Sequence, residues 1–112
     1  MELMDYKKND ILIVSIKGRL DASTADQLRQ KLRQAIEEGT LKIILDCKNL
    51  EYISSSGLRV FYEIMHTLEE KTGKLVVANP HPEATMIFEI VALNAFIPIL
   101  KDVDDAVKQF LS

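Results

Sequence analysis

The chain contains a single cysteine, Cys47, among its 112 residues. One thiol cannot close an internal disulfide, and alone it cannot supply a cysteine-based metal site. A reducing compartment is the natural expectation. A long hydrophobic run is also lacking. The longest uncharged stretch, residues 90–100, is too short to span a bilayer and carries Asn94 and Pro98. Residues 1–10 are polar and have no apolar centre of signal-peptide length. A cytoplasmic protein with no direct membrane insertion is therefore expected. Positive charge is not in excess, because 14 Lys and Arg stand against 17 Asp and Glu, a net charge of -3. Nucleic-acid binding needs a basic face, so no nucleic-acid partner is expected. Arg29, Lys31 and Arg33 do cluster, but Asp26, Glu37 and Glu38 lie nearby, and a solvated helix face is the better reading.

Signatures of catalysis are missing too. There is no Gly-rich phosphate loop, no HExxH string and no paired metal motif. His66 and His81 share no metal-ligand spacing with a carboxylate or cysteine. Ser-His-Asp chemistry needs a base beside its serine. His66 lies about three helical turns beyond Ser55, roughly 16 Å by helical rise. The expectation is a binding protein and not an enzyme, with no cofactor and no metal.

What is present is a strong alternation of patterns. Apolar residues make up 47% of the chain, enough for one core, and no linker, repeat or low-complexity tract divides it. One domain over residues 1–112 is expected. Residues 4–7 are a weak strand candidate, with Asn9-Asp10 as a turn. Residues 11–16 are β-branched and almost continuously apolar, which suits a strand covered on both faces. Gly18 ends or bends that strand. A helix follows, with Ser23 or Asp21 as the expected N-cap and Asp26 resembling the far end of a capping box. Ala25, Leu28, Leu32, Ala35 and Ile36 form its apolar face, and Gly39 is its stop. Residues 41–45 are a second buried strand ending at Asp46-Cys47.

After a loop, Ser55-Ser56-Gly57 opens a second helix with the stripe Leu58, Phe61, Tyr62, Met65 and Leu68. Residues 75–78 are the next strand. Pro82 suits the first turn of a third helix carrying Met86, Ile87, Ile90 and Val91. Residues 97–100 read as a short strand whose Pro98 belongs at a sheet edge. Asp102 caps a last helix with Val103, Ala106, Val107 and Phe110. This order implies an α/β domain: a mostly parallel sheet of about four to five strands, an antiparallel edge, and about four helices. Binding in such sheets occurs at the carboxyl ends of the strands. Two loops should meet there, residues 19–24 and residues 48–57.

The second of these loops contains three consecutive serines at a strand-to-helix junction. First-turn N–H groups lack intrahelical partners, and the helix dipole adds positive potential there. A serine in that place can cap the helix, and a phosphate on it would be held by the same groups. Gly57, without a side chain, would let a partner approach the backbone closely.

Several strings together resemble the STAS domain, found in bacterial anti-sigma factor antagonists and in sulfate transporters. Lys17-Gly18-Arg19-Leu20-Asp21-Ala22 is similar to the family's Gly-x-Leu-Asp approach to the first helix. Ile43-Ile44-Leu45-Asp46 resembles its hydrophobic strand ending in Asp. Tyr52-Ile53-Ser54-Ser55-Ser56-Gly57-Leu58 resembles its Asp-Ser-Ser-Gly-Leu signature. Residues 75–80 and 93–99 also fit, so the likeness covers nearly the whole chain.

The resemblance implies that Ser55 is a phosphorylation site. In the family this serine is modified by an anti-sigma factor with serine kinase activity and restored by a PP2C-type phosphatase. The unphosphorylated form binds the anti-sigma factor and frees a sigma factor. Ser54 stands where the family has aspartate, which keeps an acceptor but loses a charge. Asp21, Ser54, Ser56, Gly57 and Arg59 are the implied partner-binding residues. For Asp21 the plainer reading is a helix cap, and for Arg59 a surface arginine. The competing expectation is a STAS accessory or scaffold subunit of a transporter or signalling complex that is not phosphorylated.

Overall fold

The computed structural model describes residues 1–81 and 92–111. The expected third helix falls on residues 82–91, outside the described residues. Strand β1 (Glu2–Lys8) turns at Asn9-Asp10 into β2 (Ile11–Leu20) and pairs with it antiparallel. Helix α1 (Ala25–Glu37), β3 (Lys42–Asp46), β4 (Leu50–Ile53) and α2 (Ser55–Glu70) follow. After β5 (Lys74–Ala78), a single 3-10 turn (Leu93–Ala95) precedes β6 (Ile99–Leu100) and α3 (Val103–Lys108). The sheet has six strands, ordered β1-β2-β3-β5-β6, with β4 paired to β2. Every pairing except β1 with β2 is parallel. Six strands exceed the expected four to five because β4, read from sequence as loop, is a strand. Three α-helices lie among the described residues.

The apolar run of β2 is explained by alternation. Successive side chains of a strand point to opposite faces. Leu12, Val14 and Ile16 join one core with Ile43, Leu45, Leu75, Val77 and the buried faces of α1 and α2. Ile11 and Ile13 join a second core with Ile44, Val76, Ala78 and residues of α3. The sheet is thus covered on both sides, and residues 11–14 are all buried.

Helix α1 docks through Ala25, Leu28, Leu32 and Ile36. Burial of one such leucine contributes about 2 kcal/mol. The bridge from Arg29 Nε to Glu63 of α2, 2.7 Å, is half-exposed and adds at most about 1 kcal/mol. Apolar packing therefore fixes α1, and the ion pair adds a contact to α2. The basic cluster of α1 is drawn into intramolecular pairs, with Arg33 3.7 Å from Glu63 and Lys31 2.8 Å from Asp5.

Gly18 bends β2 without ending it. Its φ of 98° lies in the left-handed region, and a bulge falls between Gly18 and Arg19. Up to Ser15 β2 pairs with β3, and from Gly18 onward it pairs with β4, the bulge lying inside that second ladder. At the far edge, β6 pairs only with β5 among the described residues, and the Pro98 carbonyl accepts from Val77 N–H at 2.9 Å. The proline thus sits on an edge, as its missing donor requires. Among the described residues, no helix is long and apolar enough to cross a membrane.

Candidate functional site

Two parallel strands end side by side and define the site. The last pairs of β2 and β4 are Arg19 with Tyr52 and Leu20 with Ile53. Ser54 N–H then donates to Leu20 O at 2.9 Å. The loops after β2 and β4 therefore start from adjacent positions at the carboxyl end of the sheet, where parallel sheets build binding sites.

Three adjacent serines have three different environments. Ser54 is the N-cap of α2, in extended conformation, and its Oγ accepts from Gly57 N–H at 3.3 Å. Its carbonyl accepts from Leu58 N–H at 3.0 Å. Ser54 thus performs the capping that the sequence assigned to the run as a whole. Ser55 is the first residue of the helix and is exposed, whereas Ser56 is half-buried. No acidic residue occupies the first turn of α2. The exposed Ser55 hydroxyl therefore stands at the positive end of a 16-residue helix.

Gly57 corrects an expectation. It is buried, and a Cβ there would lie 2.7 Å from Leu20 Cγ and 3.0 Å from Ile53 Cγ1. The missing side chain makes room for the protein's own Leu20, so the space on its Cβ side is filled from within the fold. This contact seats the start of α2 on the ends of β2 and β4. Arg59 is exposed, one turn after Ser55. Among the described residues no carboxylate pairs with it.

Asp21 also differs from expectation. The N-cap of α1 is Thr24, and no side chain bonds to the helix there. Asp21 organises the preceding turn: its Oδ1 accepts from Ser23 N–H at 3.0 Å and from the Ser23 hydroxyl at 2.7 Å. Thr24 Oγ1 accepts from Asp21 N–H and donates to Arg19 O, both at 2.9 Å. With Ser23 occupied by this Asx-type turn, the helix starts one residue later than a Ser23 cap would place it. Asp26 forms no capping box and bonds instead to Arg29 and Gln30 down the helix. The Ser23 bonds, foremost the hydroxyl, hold the Asp21 carboxyl below its ordinary value, and Arg19 adds to this.

Sequence reading missed Arg19 and Tyr52. The Arg19 guanidinium lies 4.2 Å above the Tyr52 ring and its Nε is 3.8 Å from Asp21 Oδ2. The contact links the two loops across the strand pair. Its signal in the sequence was weak, because it depends on β4 being a strand in this register. Cys47 is fully buried behind the site, with its Sγ 3.7 Å from Leu45 O, and burial pushes its thiol pKa up. His66 is exposed, 3.9 Å from Glu69 on its own helix. Among the described residues, no group of three His, Cys, Asp or Glu side chains could hold a metal ion.

Comparison with known proteins adds to this geometry. The provisionally named anti-sigma factor antagonist BtrV of Bordetella bronchiseptica is 30% identical over 110 residues, 98% of this chain and 95% of that protein. The anti-sigma-B factor antagonist of Bacillus subtilis is 34% identical over 98 residues, 86% of this chain and 88% of that protein. The fold matches the Bacillus antagonist SpoIIAA in its unphosphorylated form, with a TM-score of 0.75 at 24% identity over 97% of both chains. It matches the phosphorylated form equally, at 0.75 and 22% identity, over 97% of this chain and 99% of that one. The sequence profile of the STAS domain matches residues 2–106. With its two paired loops and a serine-capped second helix, this chain belongs to the STAS-domain family of anti-sigma factor antagonists.

Proposed function

We propose that the chain works by reversible protein binding, switched at Ser55. In its unmodified form it docks on an anti-sigma factor that is also a serine kinase, and so releases a sigma factor. Phosphorylation of Ser55 by that kinase ends the contact, and a PP2C-type phosphatase restores it. The observation that carries this reading is the separation of roles among the serines. Ser54 supplies the cap, so the Ser55 hydroxyl is exposed and not needed by the fold. Modifying it costs the helix nothing. The names of the curated relatives, and the two forms in which SpoIIAA is described, support the same reading.

The physics of the switch is local. A phosphoserine carries about -1.5 to -2 charge at neutral pH. A helix N-terminus tolerates that charge, and no acid in the first turn of α2 repels it. The fold therefore survives while the docking surface changes sign. Arg59, exposed one turn along, is placed to meet either the phosphate or an acidic partner group. Asp21 contributes to docking by fixing the shape of the neighbouring loop. The chain, one STAS unit over residues 1–112 acting in the cytoplasm, supplies a surface and no chemistry of its own.

Incubation with the candidate kinase and ATP, followed by mass spectrometry, tests the assignment. Label is expected on Ser55 alone. Ser55→Ala should bind the kinase without accepting phosphate. Ser55→Asp should bind at least about tenfold more weakly, as expected for an uncompensated charge in an interface. Label on Ser54 or Ser56, or undiminished binding of Ser55→Asp, would sink the reading. Serine in place of aspartate at position 54 favours one alternative, an unphosphorylated accessory or scaffold subunit of a transporter or signalling complex. That role predicts no label from any candidate kinase and partner binding indifferent to Ser55→Asp.

A further inference from the structure

Strand β1 is an edge strand of seven residues, paired on one side only among the described residues. Edge strands expose a row of unpaired N–H and C=O groups and usually carry protection against pairing. The side chains of β1 sort by alternation. Leu3 packs on the core beneath α1 and α2, and Asp5 reaches Lys31 of α1 at 2.8 Å. Glu2, Met4, Tyr6 and Lys8 share the opposite face. Met4 is 70% exposed and Tyr6 52% exposed, so two large apolar side chains lie in water on one short strand.

The order of these residues is self-complementary. Antiparallel pairing of β1 with a second β1 about a two-fold axis through Asp5 aligns all seven residues. No other register does so. In that register Glu2 faces Lys8 of the second copy and Met4 faces Tyr6, each twice by symmetry. Leu3 faces Lys7. Asp5 faces Asp5, but each carboxylate already holds its own Lys31. Glu2 also stands opposite Lys17 of β2 within its own chain, so it would lie between two lysines. Shifted registers leave part of the strand unpaired; a one-residue shift sets Met4 or Tyr6 against Asp5, and a two-residue shift sets Met4 or Tyr6 against its own copy, in each case without the Glu2 to Lys8 match. The charges that guard the edge against strands in general therefore admit this one.

We infer that β1 is a homodimerisation edge, joining two copies through an antiparallel β1–β1 pair centred on Asp5. The contact is isologous and closes on itself, so it yields dimers and not fibres. It covers Met4 and Tyr6, and it does not rest on the phosphorylation of Ser55.

Sedimentation equilibrium of the full chain, from micromolar to millimolar concentration at low salt, tests it. The mass should rise reversibly from 12.7 kDa to twice that value. Lys8→Glu, at an exposed position, should weaken the dimer about tenfold, because two attractive cross-strand pairs become repulsive. The double variant Glu2→Lys with Lys8→Glu should recover most of that loss, and Tyr6→Lys should abolish the dimer with an unchanged circular dichroism spectrum. A single 12.7 kDa species throughout would overturn the inference. So would a dimer indifferent to Lys8→Glu, or one that the double variant fails to restore.

Discussion

Replacing Gly57 with alanine tests how the site is seated. The new Cβ would lie 2.7 Å from Leu20 Cγ and 3.0 Å from both Leu20 Cδ2 and Ile53 Cγ1. Leu20 is wholly buried, and Cγ is a branch point and not a mobile tip, so it cannot swing aside. Overpacking of this kind costs about 1–3 kcal/mol. Alanine has better helix propensity than glycine by up to about 1 kcal/mol, and that gain opposes the clash. The net expectation is a loss of roughly 1–2 kcal/mol, or about 4–10 °C in Tm for a chain of this size. Urea denaturation followed by circular dichroism reads the change directly. Leu20→Val alone should cost about 1 kcal/mol. In the Gly57→Ala background it should cost less, because it opens the space that the new methyl needs, giving a coupling of about 0.5–2 kcal/mol. A Gly57→Ala protein as stable as the parent, or strict additivity with Leu20→Val, would refute the packing of α2 against β2 described above.

The N-cap and the Asp21 turn give two further expectations. Ser54→Ala removes the oxygen that accepts from Gly57 N–H and should cost about 1 kcal/mol in urea denaturation. Ser54→Asp should match or exceed the parent, since it keeps the acceptor and places an anion at the helix N-terminus; equal stability of all three proteins would show that the bond contributes nothing. The Asp21 carboxyl is held below the ordinary aspartate value by the Ser23 hydrogen bonds, so folding favours its ionised form. The stability it contributes is whole above that value and is lost as pH falls through the folded pKa. An NMR titration should place Asp21 below 3.8 and show it rising in Ser23→Ala, which deletes the largest cause; an Asp21 that titrates at 3.8 or higher in the parent contradicts the turn geometry.

Much of the fold could be read along the chain because its signals are local. β2 announced two-sided burial through an unbroken β-branched run, and its residues do divide between two cores. Asp102 caps α3 as expected, accepting from Asp105 N–H at 2.8 Å. The Ser55 environment was legible only in outline. A serine triplet before an apolar stripe signals a cap, but which hydroxyl caps and which faces water depends on where the helix begins. The stripe of α2 was also incomplete. Val60 and Ile64 are buried, while Tyr62 is half-buried with its ring 6.0 Å from that of Phe96. Helix α2 packs against α1, β4 and β5, so its buried arc is wider than a one-sided helix would show.

β4 shows where sequence reasoning ran out. Four residues, with Leu50 and Ile53 buried and Glu51 and Tyr52 exposed, are too few for a period to declare itself. Only the vacancy beside β2, left where the pairing with β3 ends at Ser15, makes that segment a strand. The Arg19–Tyr52 stack and the Leu20 contact with Gly57 are consequences of that pairing. By itself the sequence determined the alternation of elements, the two-faced sheet and the helix that begins at the serines, since each rests on neighbours within a turn or two. The tertiary structure decided through which contacts the two loops are joined and which serine is left in the open. Those outcomes arise from contacts between residues more than thirty positions apart, which local pattern does not encode.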